Sequence, residues 1–437
     1  MLGCPVEFLE NFFPNGAGKI ANRPGTIYNH RALEVADMKG KHITLAVTGA
    51  IAAYKAVPLL RLLRKAGAEV QIIGTESSLR FVGRETWEAL SGRPPLFSLW
   101  EPNDPAKIAH IMLAQEVDLV VVAPATANII AKAAGGIADD LVSTVLLAAT
   151  VPILFAPCMN TAMYDNPATH RNIALLSERP TVGFIDCGTG ELACGTEGKG
   201  RMAEPEDIFR RISYLLTPKH PEPLRWLIAA GATREYIDPI RFITNGSTGT
   251  TGRAIADAAW RQGGRVTLVA GNLPAPLPTD YPVRPVVSAA QMHAEVTELA
   301  PQCDILVMSA AVADYTVAKS TAKLKKGERT KTLALESTTD ILTATLPLMD
   351  ARALRVGFAA ETENLIENAH GKRQRKQLDM VIANLVSDAH DPFGNSQNRV
   401  VIVTQEQAEE LPLMSKEALG DLLSVRIYDA AIRKRNI

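Results

Sequence analysis

Short apolar runs alternate with amphipathic helical stretches along this chain, twice over, on either side of one proline-rich break. Before the break, Ile43–Val47, Val70–Ile73, Leu119–Ala123 and Ile153–Ala156 are apolar runs that end in turn residues, the pattern of strands buried on both faces. Helical periodicity covers Ala52–Lys65 and recurs near 106–115, 126–134, 140–149 and 166–178. After the break, strands are expected at Trp226–Ala229, Val266–Val269, Ile305–Met308, Val356–Phe358, Met380–Ile382 and Val400–Val403, with helices at 252–262, 288–299, 363–377 and 415–434. Such alternation builds a mostly parallel sheet with helices on both faces and ligands at the carboxyl ends of the strands. The predicted class is α/β, as two doubly wound, mainly parallel-sheet domains.

The break, Thr217-Pro218-Lys219-His220-Pro221-Glu222-Pro223, has no periodicity and reads as a linker over 217–223 between domains at 39–216 and 224–437. A chain of 437 residues is too long for one core. Residues 1–38, with Pro14, Gly16, Gly18, Pro24 and Gly25, read as a loosely ordered extension of unknown role. It is not a secretory signal: Glu7 and Glu10 interrupt its apolar cluster, and no basic residue precedes Lys19.

A net charge of −1 gives no electrostatic case for nucleic acid or acidic membranes, so anions must be held by local geometry. Cys4, Cys158, Cys187, Cys194 and Cys303 are scattered without a CxxC, against a disulfide framework or a structural zinc site and in favour of a cytosolic chain. The uncharged stretch Leu141–Tyr164 is interrupted by Pro152, Pro157 and Asn160; it reads as helix, buried strand and site loop, not as a membrane span. The string Gly188–Ala193 fits a dinucleotide-type pattern, but Gly195, Gly198 and Gly200 follow where a helix should start, so 183–200 reads as a mobile flap.

Three strand-end loops of the first domain carry small or hydroxylated residues: Thr48-Gly49-Ala50, Thr75-Glu76-Ser77-Ser78 and Pro124–Asn128. Backbone N–H groups at a helix start attract phosphate, although a tight strand–helix turn explains Gly49 equally well. Pro157-Cys158-Met159-Asn160-Thr161-Ala162-Met163-Tyr164 and Ala193-Cys194-Gly195-Thr196-Glu197-Gly198-Lys199-Gly200-Arg201-Met202 follow. The second domain carries Thr244–Gly249 running into a helix, Ala310–Tyr315, Lys323-Leu324-Lys325-Lys326, Gly357–Thr362, and Lys372 and Lys376 one helical turn apart. Taken singly, the lysines read as a solvated basic face and His110 as an ordinary histidine.

In combination the first set resembles flavin-dependent phosphopantothenoylcysteine decarboxylases and the second resembles phosphopantothenate–cysteine ligases, in the order of the bifunctional coenzyme A biosynthesis enzymes. The resemblance covers roughly 41–434 and implies Rossmann/flavodoxin-like domains. It implies FMN held by Thr48, Gly49, Ala50, Thr75, Ser78, Ala125, Thr126 and Asn128. His110 is implied as the base beside thiol and flavin, Asn160 as the binder of the substrate carboxylate, and Cys194, rather than Cys187, as the acid that protonates the enethiolate after decarboxylation. For ligation it implies CTP with Mg²⁺, an acyl cytidylate, Asn245 on the acyl carbonyl and Lys323 as charge stabiliser. The nucleotide would meet Ser309, Ala310, Asp314, Lys323, Asp340, Ile341, Phe358, Lys372 and Lys376; no magnesium ligands are legible. The implied partners are 4'-phosphopantothenate, cysteine, CTP and 4'-phosphopantothenoylcysteine, in a cytoplasmic homo-oligomer of decarboxylase trimers and ligase dimers that builds a dodecamer.

Three positions depart from the pattern: Thr250 stands where lysine is expected, Ala232 where proline is common, and Ala50 where glycine is frequent. Two rivals share the fold. A flavin prenyltransferase-type protein fused to a nucleotide-binding domain would not need the Asn160 loop or the Cys194 segment. A regulatory binding protein would not need His110, Asn160 and Cys194.

Overall fold

The computed structural model describes residues 38–100, 109–191, 197–274, 277–325, 332–386 and 396–436. The described residues up to Leu216 form one compact unit and those from Thr217 onward a second.

In the first unit five parallel strands lie in the order Glu69–Gly74, His42–Val47, Leu119–Ala125, Ile153–Pro157, Val182–Phe184. The central strand Leu119–Ala125 is buried along its whole length. Alternate side chains feed two cores: Ile43, Leu45, Leu119 and Val121 pack with Leu59, Leu60, Leu63 and Ile208 on one face, while Ala46, Val120 and Val122 pack with Ile129, Ile130, Val142 and Val145 on the other. Each such side chain contributes about 1.5–3 kcal/mol on burial, which is why an apolar run without alternation is required here. The expected helix over Ala52–Lys65 opens as a 3-10 segment, Ile51–Lys55, and becomes α-helical at Ala56–Lys65. At the end of the 3-10 segment Lys55 is buried and reaches Glu204 at 2.7 Å. The helix expected near 106–115 is described from Ala109 to Gln115.

The second unit has eight strands in the order Val283–Pro285, Arg265–Ala270, Arg225–Ala230, Ile305–Met308, Leu354–Glu361, Met380–Leu385, Val401–Val403, Ala408–Glu410. The first six are parallel; Val401–Val403 pairs antiparallel with the sixth, and Ala408–Glu410 antiparallel with it in turn. Gly420 of helix Lys416–Arg435 lies against Ala254 of helix Thr250–Arg261; a Cβ there would stand 2.6 Å from the Ala254 carbonyl carbon. The small residue thus sets how closely these helices cover the sheet. In both units the chain reverses its direction of strand addition beside the first strand, His42–Val47 or Arg225–Ala230, and a crevice opens at the carboxyl ends. No helix among the described residues is long and apolar enough to cross a membrane.

Candidate active sites

Strand-end segments of the first unit enclose a cavity of about 360 Å³ lined by Thr48, Gly49, Ala50, Thr75, Ser77, Thr126, Ala127, Asn128, Ile129, Cys158, Met159 and Met163. Two loops are locked through Thr48: its Oγ1 donates to the Pro124 carbonyl at 2.7 Å and accepts from the Thr126 N–H at 3.2 Å. Thr126 also caps helix Ala127–Gly135, which leaves that helix start facing the cavity. Gly49 lies so close to the next loop that a Cβ would stand 2.7 Å from Ser77 Cβ. Among the described residues no charged side chain lines this wall. Hydroxyls and helix starts occupy one part, and Met159, Met163 and Ile129 supply apolar surface.

Two residues expected at the flavin do not line this cavity. Ser78 is buried beneath the wall, its hydroxyl donating to the Thr75 carbonyl at 2.6 Å. Ala125 is buried within its strand, its carbonyl accepting from Cys158 N–H at 2.9 Å. Ser77 and Ala127 line the cavity instead. The short 3-10 turn at Glu76–Arg80 rotates Ser77 outward and Ser78 inward, a choice that a Ser-Ser pair does not reveal in sequence.

Asn160 is exposed next to Met159 and caps the short helix Thr161–Tyr164, its Oδ1 accepting from Ala162 N–H at 2.8 Å. His110 is half-buried on helix Ala109–Gln115 and is not part of the cavity wall of its own chain. Cys194 lies outside the described residues; the segment leading to it and away from it forms an antiparallel pair, Gly188–Glu191 with Glu197–Arg201. Cys158 and Cys187 are free thiols. Burial pushes the Cys158 thiol up, and burial together with the charges of Cys158 and Asp186 pushes Cys187 up to about 12. Both therefore stay protonated at neutral pH and are poor nucleophiles.

The second unit encloses a larger cavity, about 700 Å³, at its own strand ends. Asn245–Gly252 form one wall and lead into helix Thr250–Arg261, whose cap Gly249 takes φ +71°. A Cβ there would lie 2.6 Å from the Gly231 backbone, so this turn requires glycine on two counts. Met308–Asp314, Thr338–Leu342 and Phe358–Ala360 form the other walls. Lys372 crosses from its helix to donate to the Phe358 carbonyl at 2.6 Å. Burial pulls its ammonium below the ordinary lysine value, against the opposing charges of Glu361 and Asp314. Lys376 pairs with Asp340, which also caps helix Ile341–Thr345. Among the expected nucleotide contacts, Ser309, Ala310, Asp314, Asp340, Ile341, Phe358, Lys372 and Lys376 line this cavity. Lys323 does not; it is exposed on the segment outside the wall. The Asn245 amide donates at 3.2 Å to both Ala311 and Val312 carbonyls, so donation to a substrate carbonyl would replace one of these bonds.

The lining residues outside the expectation include Asn384, Asn398 and Lys416, all buried. Asn384 Nδ2 has no partner among the described residues, an orphaned donor at the cavity. Its signal was present, a polar residue ending the apolar run Met380–Ala383 at the same sheet end as Phe358. Asn398 and Lys416 flank short pairings without periodicity and gave none. No group of three or more His, Cys, Asp or Glu side chains able to hold a metal occurs among the described residues.

Known proteins match both units. The family model of flavoproteins matches residues 32–217, and that of the DNA/pantothenate metabolism flavoprotein C-terminal domain matches 222–430. The coenzyme A biosynthesis bifunctional protein of Vibrio cholerae is 40% identical over 397 residues, 90% of this chain and 99% of that protein. Its Bacillus subtilis counterpart is 42% identical over 389 residues, covering 87% and 94%. A crystal structure of the C-terminal domain of such a bifunctional protein matches at 33% identity, covering 48% of this chain and 97% of that one, with TM-score 0.40. A fusion of a prenyltransferase-type domain, or a binding protein without turnover, does not account for identity that continues through both units. The chain belongs to the family of coenzyme A biosynthesis bifunctional proteins, and is an enzyme with a decarboxylase and a ligase activity on one polypeptide.

Proposed function

We propose that the second unit joins 4'-phosphopantothenate to cysteine at the expense of CTP, and that the first unit decarboxylates the product with FMN to give 4'-phosphopantetheine. The observation that carries this reading is the pairing of two cavities with different walls, one uncharged among its described residues and one carrying lysines and aspartates, on a chain of this family.

The first cavity fits a flavin mononucleotide. Thr48, Thr75, Ser77 and Thr126 hydroxyls and the starts of two helical segments suit its phosphate, and Met159, Met163 and Ile129 suit its ring. When bound, FMN supplies the two-electron oxidation of the substrate thiol and its reversal, which makes loss of CO₂ feasible. Asn160, neutral and at the rim, binds the carboxylate by donating from its amide. His110 takes the thiol proton and Cys194 returns one to the enethiolate. Because His110 is off the wall of its own cavity, it serves the cavity of a neighbouring subunit. Met163 (50% exposed) on the cavity wall, and Ile51 (58%) and Tyr54 (57%) in the 3-10 segment that follows Ala50, suit such a trimer contact.

In the second unit a carboxylate oxygen of phosphopantothenate attacks the CTP α-phosphate, releasing pyrophosphate; the cysteine amine then displaces CMP from the acyl cytidylate. Lys372 and Lys376 offset phosphate charge, and Asp314 accepts from the ribose or base. Lys323 stabilises the charge that develops on the intermediate and Asn245 holds its carbonyl. Arg253 at the start of the helix replaces the lysine absent at Thr250. Magnesium enters on the nucleotide, consistent with its usual one or two carboxylates plus substrate phosphates. The enzyme works in the cytoplasm, with the ligase units paired as dimers.

The test is one purified preparation. A yellow protein that releases FMN on denaturation, and that forms pyrophosphate and amide one for one from phosphopantothenate, cysteine, CTP and Mg²⁺, is expected. Folded protein that forms no pyrophosphate overturns the ligase reading; colourless protein that ignores added FMN overturns the other.

A further inference from the structure

The hairpin of Arg234–Tyr236 with Phe242–Thr244 delivers Asn245 to the second cavity. In its turn Asp238 is fully buried. Oδ1 accepts from the Ile240 and Arg241 N–H groups at 2.9 and 2.8 Å, which, with the Ile237 and Asp238 N–H bonds to the Arg241 carbonyl, close the turn. Oδ2 does something else. It accepts from Arg241 Nε at 3.0 Å and from the Leu324 N–H, 86 positions away, at 3.2 Å. The same guanidinium donates to the Leu324 carbonyl at 2.7 Å. One carboxylate–guanidinium pair therefore holds both polar groups of a single residue, and that residue stands between the exposed Lys323 and Lys325.

A lysine carries a flexible four-carbon stem and loses much rotamer freedom when it is positioned. On an unanchored backbone it would lose main-chain freedom as well. Anchoring Leu324 removes that second cost before substrate arrives. It also refers Lys323 to the hairpin that positions Asn245, so the two groups assigned to the acyl intermediate share one frame. Arg241, hydrogen-bonded to Asp238, holds its carboxyl well below the usual carboxylate range, so the acceptor is ionised at neutral pH.

We propose that Asp238 is a positioning residue for ligation: through Arg241 and the Leu324 peptide it fixes the Lys323 backbone against the hairpin that carries Asn245. This rests on the role given to Lys323 above. Asp238→Asn keeps the shape and the turn bonds and weakens the clamp. In CTP-dependent pyrophosphate release its kcat should fall about 10²-fold, the usual effect of a misplaced catalytic group. KM for CTP and for phosphopantothenate should move less than about threefold, since binding is not what is lost. In a Lys323→Ala background the same substitution should cost less than about threefold further, because the two act in series. Leu324→Pro lacks the N–H that Oδ2 accepts and should lose more than Leu324→Ala, which keeps it. Decarboxylation of supplied phosphopantothenoylcysteine by the same preparations, and their melting curves, report whether the chain is folded. Wild-type kcat in Asp238→Asn, a full additive loss in the double variant, or equal losses in Leu324→Pro and Leu324→Ala each overturn the clamp. Full activity of Lys323→Ala alone overturns the role of Lys323 and the clamp with it. A wild-type chain that releases no pyrophosphate overturns the CTP reading itself, before any variant is made.

Discussion

Both units make their cavity in the same way, where strand order reverses and a helix starts, yet the walls differ in kind. Among the described residues the first has no charged side chain; the second has Asp314, Asp340, Lys372, Lys376 and Lys416. A single phosphate and a polarisable ring are satisfied by hydroxyls, backbone dipoles and thioethers. A triphosphate that must lose pyrophosphate needs cations aimed at developing charge. The same scaffold thus hosts two chemistries by what its loops carry. On the proposed reading the first unit, whose described wall is uncharged, relies for proton transfer on His110, which is off that wall, and on Cys194; in the second the charges are built in.

The sharpest way to break that contrast is Cys194→Ser. If Cys194 acts only as the final proton donor, flavin binding, thiol oxidation and CO₂ release should persist. Formation of saturated 4'-phosphopantetheine should drop about 10³-fold, within the range for a general acid. Carbon dioxide release and product mass, followed together, check it; full turnover returns the proton transfer to the wall residues. Ligation in the same variant should be unchanged.

Lys372→Met tests the built-in charge. Loss of a charge-assisted contact to phosphate should lower kcat/KM for CTP about 10- to 100-fold and leave flavin content alone. The pH dependence has a definite sign. Burial lowers the folded-state value of Lys372 below the ordinary 10.5, so its ammonium, and with it CTP affinity in the wild type, is lost earlier on the alkaline side than for an exposed lysine. The cost to folding of that buried charge is present at neutral pH and fades as pH rises through the folded value. Removing it should therefore not lower the melting temperature of the unliganded second unit. Binding titrations from pH 7 to 10 and thermal melts check both; an unchanged alkaline limb in Lys372→Met sinks the assignment.

What the sequence made legible follows this division. Strands such as Leu119–Ala125 and Met380–Leu385 were readable because burial on both faces demands an unbroken apolar run. Terminal strands such as Val283–Pro285 and Ala408–Glu410 were not, because edge pairing needs only backbone and tolerates Arg, Pro and Glu. Thr48, just past the end of a strand, was legible from position, as was Phe358, although its strand runs on to Glu361. Ser77 against Ser78 was not, since a 3-10 turn decides which hydroxyl faces the cavity. Lys416 was also illegible: it reaches the second cavity from the closing helix, far along the chain.

A matched pair of substitutions compares the cradles themselves at smaller cost. Alanine at Gly49 places a Cβ 2.7 Å from Ser77 Cβ; alanine at Gly252 places one 2.6 Å from Ala230 Cβ and against Ser309. Ala in a helix ordinarily gains about 1 kcal/mol over Gly, so at Gly252 the collision, about 1–3 kcal/mol, decides the sign. Gly49→Ala should weaken FMN retention about tenfold with ligation intact, and Gly252→Ala should weaken ligation about tenfold with FMN intact. Flavin absorbance after dialysis and pyrophosphate release measure the two. Either substitution disabling both activities would mean the units do not act independently.

The smallest effect tests a likeness rather than a difference. Each sheet places an aspartate just before one strand to hold the start of the strand beside it. Asp118 accepts from His42 N–H at 2.8 Å and Lys41 Nζ at 2.9 Å; Asp304 accepts from Arg225 N–H at 2.8 Å, from its guanidinium at 2.9 and 3.0 Å, and from Arg435 at 2.8 Å. Asp379 repeats the device with Arg355 N–H at 2.7 Å and Lys434 at 2.8 Å. For Asp118 and Asp304 burial alone would raise the carboxyl, but the hydrogen bonds from His42 N–H and from Arg225 outweigh it, and both end below the ordinary value. A depressed carboxylate contributes stability above its unfolded value of about 3.9 that is lost as pH falls through the folded one. Asp304, with two arginines and a side chain 12% exposed against 30% for Asp118, should be worth about 2 kcal/mol at pH 7, and Asp118 about 1 kcal/mol. Urea denaturation of Asp304→Asn and Asp118→Asn, read by tryptophan and by bound flavin, should show those costs at pH 7 and smaller ones at pH 3. Equal costs at the two pH values would mean that the aspartates act by shape alone, and the electrostatic likeness between the sheets would fall.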